Sequence, residues 1–351
     1  MKPFLNLHRF VRLAALPLAL AALLLTACVD EEQYDNSAVG NLDALWTILD
    51  EKYCFFDYKA EEYGLDWDEV YARYRPQVYS GMTRDSLFTV LANMMAELRD
   101  GHVNLYSAFN VGRYWAWWQD YPTNFDSNIQ LNYLGTNYRI AGGFRYTILQ
   151  PDSIGYIYYG SFSSVVGDSN LDYVLAYLSK CPGIILDIRN NGGGALTEVN
   201  TIASRFTNER LLSGYIRHKT GKGHSDFSDF YPTYLDPSDR LHYDGPVALL
   251  TNRSVFSAAN NFVSVMDLLP QVTTVGDRTG GGSGLPFSSE LPIGWSIRFS
   301  ASPIYNARKE HTEFGIDPKV KSEMLLSDML KGVDTIIEDA RKLLISQSEG
   351  K

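Results

Sequence analysis

The chain has 351 residues, 31 basic against 41 acidic side chains, and a net charge of −10 at neutral pH. That balance argues against nucleic acid and against an anionic membrane surface as partners, and the length allows one large domain or two small ones with ample core. Three cysteines are too few for a disulfide scaffold, and the spacing of Cys54 and Cys181 fits no metal site.

Residues 1–27 read as a lipoprotein signal peptide. Lys2, Arg9 and Arg12 give a positive start, and the apolar run over 13–25 is too short and wrongly flanked to span a bilayer. Leu25-Thr26-Ala27-Cys28 resembles a bacterial lipobox, which implies an acylated Cys28. Such a chain belongs in the cell envelope and reaches the membrane through its lipid alone. Residues 28–38 are polar and acidic and read as a tether. Cys54 and Cys181 are expected as free thiols, since a core of this size needs no staple.

Three helices are expected over 39–100, forming an N-terminal helical subdomain. Over 39–53, Leu42, Leu45, Trp46 and Leu49 share a face. Asp66 is the N-cap of the second, with Val70, Tyr71 and Tyr74 inward. After Thr83, the residues Leu87, Val90, Leu91, Met94, Met95 and Leu98 follow a helical period, and Arg99-Asp100-Gly101 supplies the stop. Residues 101–153 read as a short β-rich segment, with His102 at its start and a strand over 103–106. Tyr114, Trp115, Trp117, Trp118 and Tyr121 form either a packed wall or the rim of a cleft. Two or three short strands are expected over 128–149.

An α/β core is expected over 154–325. A strand over 154–159 and a helix carrying Leu171, Val174, Leu175 and Leu178 lead to the apolar run 184–188. A turn follows, Asn190-Asn191-Gly192-Gly193-Gly194, and then Leu196, Val199, Ile202 and Ala203 at helical spacing. Free backbone N–H groups on such a turn suit a phosphate, an oxyanion or a plain tight bend. No Gly-Lys-Ser/Thr follows, so the phosphate reading loses ground. Next come a strand over 211–217 and a polar loop over 218–245. The loop's His218, His224 and His242 lack ligand spacing, so no metal is expected. Strands over 247–251 and 272–276 flank a helix over 257–268. A flexible loop at Gly280, Gly281, Gly282 and Gly284 precedes a strand over 295–300 and a turn over 315–318. A C-terminal helix lies within 326–351. The alternation implies βαβ crossovers and a mixed sheet. Ligands on such sheets bind beyond the strands' carboxyl ends, where the glycine turn and Ser257 both lie.

Taken singly, Ser257 is a helix cap or a nucleophile, His102 a buried histidine or a base, and Glu313 one carboxylate among many. Together the segments say more. Asp100-Gly101-His102, the run 184–194, Val247 to Phe262, the stretch 275–282 and Glu313 to Val320 stand in the order of one family. The chain resembles the tail-specific, C-terminal-processing peptidases and the related tricorn core, over nearly all of the sequence beyond the leader. The resemblance implies a ClpP/crotonase-like core, no cofactor, no metal, and a peptide or protein substrate.

By that resemblance Ser257, opening Ser257-Ala258-Ala259-Asn260, is the nucleophile. Asn260 departs from the family's glutamate, and Gly282 stands where one branch carries its activating lysine. The tricorn-like branch uses a histidine, matched by His102, oriented by a glutamate, matched by Glu313, with Glu310 a weaker match. The oxyanion hole would join the Ala258 N–H to a glycine N–H, Gly193 first and Gly192 second. The segment 103–153 is too short for the family's usual PDZ domain. The expected function is a lipid-anchored, exported serine peptidase with a Ser-His-Glu triad. The rival is a non-catalytic relative that binds peptide or glycan in the same cleft.

Overall fold

The structure, a computed structural model, describes residues 34–349. The leader, Cys28 and most of the tether lie outside the described residues.

The N-terminal helices form where capping and periodicity agree. Helix α1 (Ala38–Lys52) starts at Ser37, whose hydroxyl accepts from the Gly40 N–H, and α2 (Phe56–Tyr63) follows within four residues. Helix α3 (Trp67–Tyr74) starts at Asp66, which accepts from the Glu69 N–H. Helix α4 (Arg84–Ala96) starts at Thr83, which accepts from the Ser86 N–H. Leu42, Leu45, Leu49, Leu91 and Met94 are fully buried in one cluster with Ile297 and Phe299. The helical unit is therefore packed onto a sheet contributed from late in the chain.

Strands β1 (Asn104–Tyr106) and β2 (Val111–Arg113) come next, then α5 (Ala116–Gln119), α6 (Ser127–Leu134), β3 (Arg139–Ala141), β4 (Phe144–Ile148) and β5 (Gly155–Tyr159). The core continues through α7 (Asp168–Leu178), β6 (Ile184–Asp187), α8 (Leu196–Ala203), β7 (Leu211–Ile216), β8 (Tyr231–Leu235), β9 (Val247–Thr251), α9 (Ala258–Met266) and β10 (Val272–Gly276). It closes with β11 (Gly284–Glu290), β12 (Ser296–Tyr305), β13 (Val320–Lys321), α10 (Leu326–Met329) and α11 (Thr335–Glu349).

A seven-stranded sheet runs β13-β10-β9-β6-β5-β4-β3. It is parallel from β13 to β5 and antiparallel beyond, so the expected mixed sheet with βαβ crossovers is present. A second sheet runs β2-β1-β12-β7-β8, with β11 paired to β12. Two core clusters cover the faces of the seven-stranded sheet, and a third joins β1 and β12 of the second sheet to the N-terminal helices.

Several sequence expectations are corrected. Helix α4 stops at Ala96, and Arg99, not Gly101, takes the positive φ of the following turn, at 47°. The start of 128–149 is the helix α6, capped by Asp126 through the N–H groups of Asn128 and Ile129. It is only eight residues long, too short to show a clear period. Strand β8 lies inside the expected polar loop, because four of its five residues are exposed and give no alternation. Strand β11 occupies part of the glycine loop as an irregular, mostly exposed partner of β12. Helix α2 had no counterpart in the reading, and it proves important to the site.

A buried ionic knot anchors the strand before the glycine turn. Arg189 is fully buried and grips Asp187 through Nε and Nη2 at 2.9 and 2.7 Å. It also meets Asp334, at the foot of α11, at 3.1 and 3.0 Å. Tyr156 and Gln130 continue the chain of contacts, through Tyr156 Oη to Asp187 at 2.9 Å and Gln130 Nε2 to Tyr156 Oη at 3.0 Å. Both carboxylates depend on one guanidinium for compensation.

Candidate active site

The glycine turn is built by asparagines. Asn190 has φ 62°, its N–H donates to Asn252 Oδ1 at 3.0 Å, and its side-chain oxygen accepts from Asn252 Nδ2 at 2.8 Å. Asn191 is fully buried; its Nδ2 donates to the Tyr159 carbonyl at 2.9 Å. Its own carbonyl accepts from the Phe256 N–H at 3.1 Å. These bonds dock the turn after β6 onto the segment after β9, which carries Ser257.

Ser257 has φ 59° and ψ −122°, a conformation L-residues rarely adopt. It costs on the order of 1–3 kcal/mol and persists where the surroundings over-determine it. Here the Ser257 N–H donates to the Gly281 carbonyl at 2.9 Å, and α9 begins at the next residue. The bend aims the hydroxyl out of the chain, to the first turn of a helix. Gly193 makes room for it: at φ 95°, a Cβ there would lie 2.9 Å from Ser257 Cβ and 2.6 Å from the Phe256 carbonyl oxygen.

His102 reaches Ser257 from the other side. Its Nε2 is 2.9 Å from Ser257 Oγ, and the residue is 4% exposed. Phe256 packs against the imidazole with ring centroids 4.8 Å apart, and Trp117 packs on Phe256 at 4.3 Å. Burial, aided by the Arg298 charge, lowers the His102 pKa to about 4, against a pull upward from Asp100. The imidazole is therefore neutral at pH 7.

The tautomer follows from the network behind the ring. Ser300 Oγ donates to Asp100 Oδ2 at 3.0 Å and lies 3.4 Å from His102 Nδ1. Its one proton is committed to Asp100, so its lone pairs face an Nδ1–H. That leaves Nε2 unprotonated toward Ser257. Asp100 also accepts from Tyr53 Oη at 3.0 Å and from the His102 N–H at 2.7 Å. Asp100 and Ser300 were not assigned roles from the sequence. Asp100 stood inside the quoted Asp100-Gly101-His102 segment, but Ser300 lies 198 residues from His102 and carried no local signal.

Glu313 departs from its expected role. It is buried nearby, but it makes no hydrogen bond to His102. Oε1 accepts from Lys59 Nζ at 3.0 Å and Oε2 from the Ser283 N–H at 3.0 Å. Lys59 comes from α2, the helix absent from the sequence reading, and it captures the carboxylate. Burial pushes the Glu313 carboxyl up, with Lys59 opposing. Burial also lowers the Lys59 ammonium, but Glu313 and Asp100 outweigh it and hold it charged. With donors on both oxygens, Glu313 is best described as the ionised half of a buried pair. Glu310, the weaker match, is exposed and bonds Asn306 and Arg308.

The oxyanion donors also need revision. The Gly193 N–H donates to Asn191 Oδ1 at 3.0 Å. Among the described residues, the Ala258 and Gly192 N–H groups have no such partner, and Gly192 faces open space. The Gly193 N–H is therefore engaged within the turn, while Gly192, Gly193 and Gly194 all line the cleft beside Ser257.

The two family departures have physical counterparts. Asn260 is fully buried, donates to Thr312 and accepts from Thr279 Oγ1 at 2.6 Å, so it clasps the segment that carries Glu313. At Gly282 a Cβ would lie 2.4 Å from the Phe256 ring, so a lysine there has no path to Ser257 without displacing that ring.

The aromatic segment resolves as a rim. Tyr114, Trp115 and Trp117 line a cleft of about 340 Å³ that includes Ser257, His102 and Gly192 to Gly194. A smaller apolar slot, about 80 Å³, opens from Ser257 between Leu196, Leu285, Pro286 and Ile304.

Comparison with known proteins identifies the family and the fold. The model of peptidase family S41 matches residues 153–322, and that of the tricorn protease C1 domain matches residues 35–96. A crystal structure of a candidate peptidase from Parabacteroides merdae ATCC 43184 is 55% identical, with a TM-score of 0.86 over 90% of this chain and 99% of that one. Mature CPAF shares the fold, with a TM-score of 0.68 at 14% identity over 89% of this chain and 97% of its own. Carboxy-terminal processing protease CtpA of Bacillus subtilis (strain 168) is 23% identical over 182 residues, 51% of this chain and 37% of that protein. The aligned stretches span 19% to 37% of the length of the curated relatives. The chain belongs to peptidase family S41, the serine-type peptidases of the C-terminal-processing and tricorn kind.

Proposed function

We propose that this protein hydrolyses peptide bonds with Ser257 as nucleophile and His102 as general base. The observation that carries the reading is the 2.9 Å contact between His102 Nε2 and the hydroxyl of a strained Ser257 at a helix start. The Ser257 proton passes to Nε2 as Oγ attacks the carbonyl carbon, and the carbonyl oxygen becomes an oxyanion. The Ala258 N–H, at the positive end of α9, and the Gly192 N–H receive that charge. The imidazolium then gives its proton to the leaving amine. Water, deprotonated by the same Nε2, attacks the ester carbonyl; the C–Oγ bond breaks, the acyl group leaves as a carboxylic acid, and the imidazolium returns the proton to Ser257 Oγ.

Ser300 and Asp100 are positioning residues in this scheme. They fix the tautomer and stabilise the imidazolium through one intervening hydroxyl. Ser300 and Asp100 thus take the orienting place expected of Glu313, whose carboxylate is held by Lys59 and the Ser283 N–H.

The proposal includes export and anchoring through an acylated Cys28. Intact-mass measurement of the membrane fraction should find a diacyl or triacyl adduct that Cys28→Ala abolishes.

Incubation with denatured casein and with quenched peptides should give cleavage that disappears in Ser257→Ala. A wild-type protein that cleaves none of them, yet binds them, would support the non-catalytic reading instead.

The pH dependence gives a second check. A histidine whose folded pKa is depressed stays a base below its usual 6.5. The acid limb of kcat/KM should therefore fall well under pH 6.5, toward the value of about 4 set by burial. An acid limb at or above 6.5 would contradict a buried, neutral His102.

A further inference from the structure

Arg298 is an unpartnered cation between the two cavities that meet at Ser257. It lies on β12, opposite Asn104 of β1 and Ser288 of β11, and is half-buried. It lines both the aromatic-walled cleft and the apolar slot. Among the described residues its side chain makes no hydrogen bond and no ion pair, whereas Arg189, Arg205, Arg240 and Arg341 are all held by carboxylates. Its charge is already felt at the site, since it helps lower the His102 pKa.

The surroundings supply no counter-ion. Among the described residues no aspartate or glutamate lines either cavity, although acidic side chains outnumber basic ones by 41 to 31 in the chain. A second cation, Arg113, lines the cleft and lies 5.0 Å over the Trp115 ring. A cleft of one sign, cut into a protein of the other, concentrates anions. A half-buried guanidinium has a planar fork that matches a carboxylate with two parallel N–H···O bonds.

We infer that Arg298 is a specificity residue that receives a carboxylate of the substrate, close to the scissile bond. The inference rests on the peptidase reading for its consequence in turnover, but its claim about binding stands separately. Two sources share this chemistry: the free C-terminus of a short product segment, and an Asp or Glu side chain. In either case the carboxylate would supply the counter-ion that the fold withholds, while the neighbouring slot takes a small apolar side chain.

The test uses a quenched octapeptide of Ala, Val and Leu with a free C-terminus, its C-terminal amide, and amides carrying Asp or Asn at successive positions. Wild-type protein should favour the carboxylate member of one pair by about 10- to 100-fold in kcat/KM, mostly through KM, as expected for a hydrogen-bonded charge. The acid–amide pair identifies the free C-terminus, and the Asp–Asn pairs identify a side chain. Arg298→Gln should erase that preference, and Arg298→Glu should invert it toward a Lys-bearing peptide. Binding of the same peptides to Ser257→Ala, read by calorimetry, decides the matter without turnover. A carboxylate preference there supports the inference even if the wild type cleaves nothing, which would count against the peptidase reading alone. Equal affinity and equal kcat/KM within every pair would overturn it.

Discussion

Ser257→Ala should lower kcat/KM for peptide cleavage by on the order of 10⁴ to 10⁶, and His102→Ala by nearly as much. The two act on one proton, so the double variant should be no worse than the poorer single one. The contact at 2.9 Å makes them a unit. What survives should reflect binding and the backbone donors of Ala258 and Gly192. Stability should move differently from activity. Ser257 holds a φ of 59°, which glycine adopts without strain, so Ser257→Gly should be inactive yet more stable by about 1 kcal/mol. Denaturant midpoints beside initial rates separate the two effects. If both variants lost activity only by unfolding, the midpoints would fall with the rates.

The second large effect concerns folding. Arg189→Met should destabilise the protein by about 3–5 kcal/mol, because Asp187 and Asp334 would be left buried without their cation. Both are fully buried, and Arg189 makes two bonds to one and two contacts to the other. Arg189→Lys should recover little, since an ammonium cannot reproduce a fork shared between two carboxylates. Loss at this knot should reach the site, because Arg189 directly precedes the Asn190-Asn191 turn that seats Ser257. Urea unfolding with an unchanged slope and a lower midpoint is the expected signature. A shift under 1 kcal/mol would mean that the knot is not holding the turn.

The strands that bear the site were legible because they are buried on both faces. The runs at Ile184 to Asp187 and Val247 to Thr251 are apolar throughout, and each ends in a turn with a chemical signature. Ser257 and His102 were legible only through the family resemblance of the segments that carry them, since a helix-start serine and a lone histidine each have an ordinary structural reading. Their partners were harder. Ser300 is the middle of β12, where a serine in an alternating strand looks like any solvent-facing residue, but the fold turns it inward to full burial. Lys59 belongs to a single short helix whose mean pattern is polar, and nothing local says that its ammonium will be sealed against Glu313. Sequence proximity to a family pattern put Glu313 in the right neighbourhood but not in the right bond. The direction of the Gly193 N–H was likewise beyond a sequence, because it depends on which acceptor a neighbouring asparagine turns toward it.

The most direct test of the central claim is covalent. The protein should be reacted with a serine-directed fluorophosphonate and digested, and the adduct located by mass spectrometry. A single adduct on Ser257, absent from Ser257→Ala and formed far more slowly by His102→Ala, is the predicted result. Labelling at another serine, or labelling at Ser257 that is indifferent to His102, would contradict a Ser257–His102 catalytic pair.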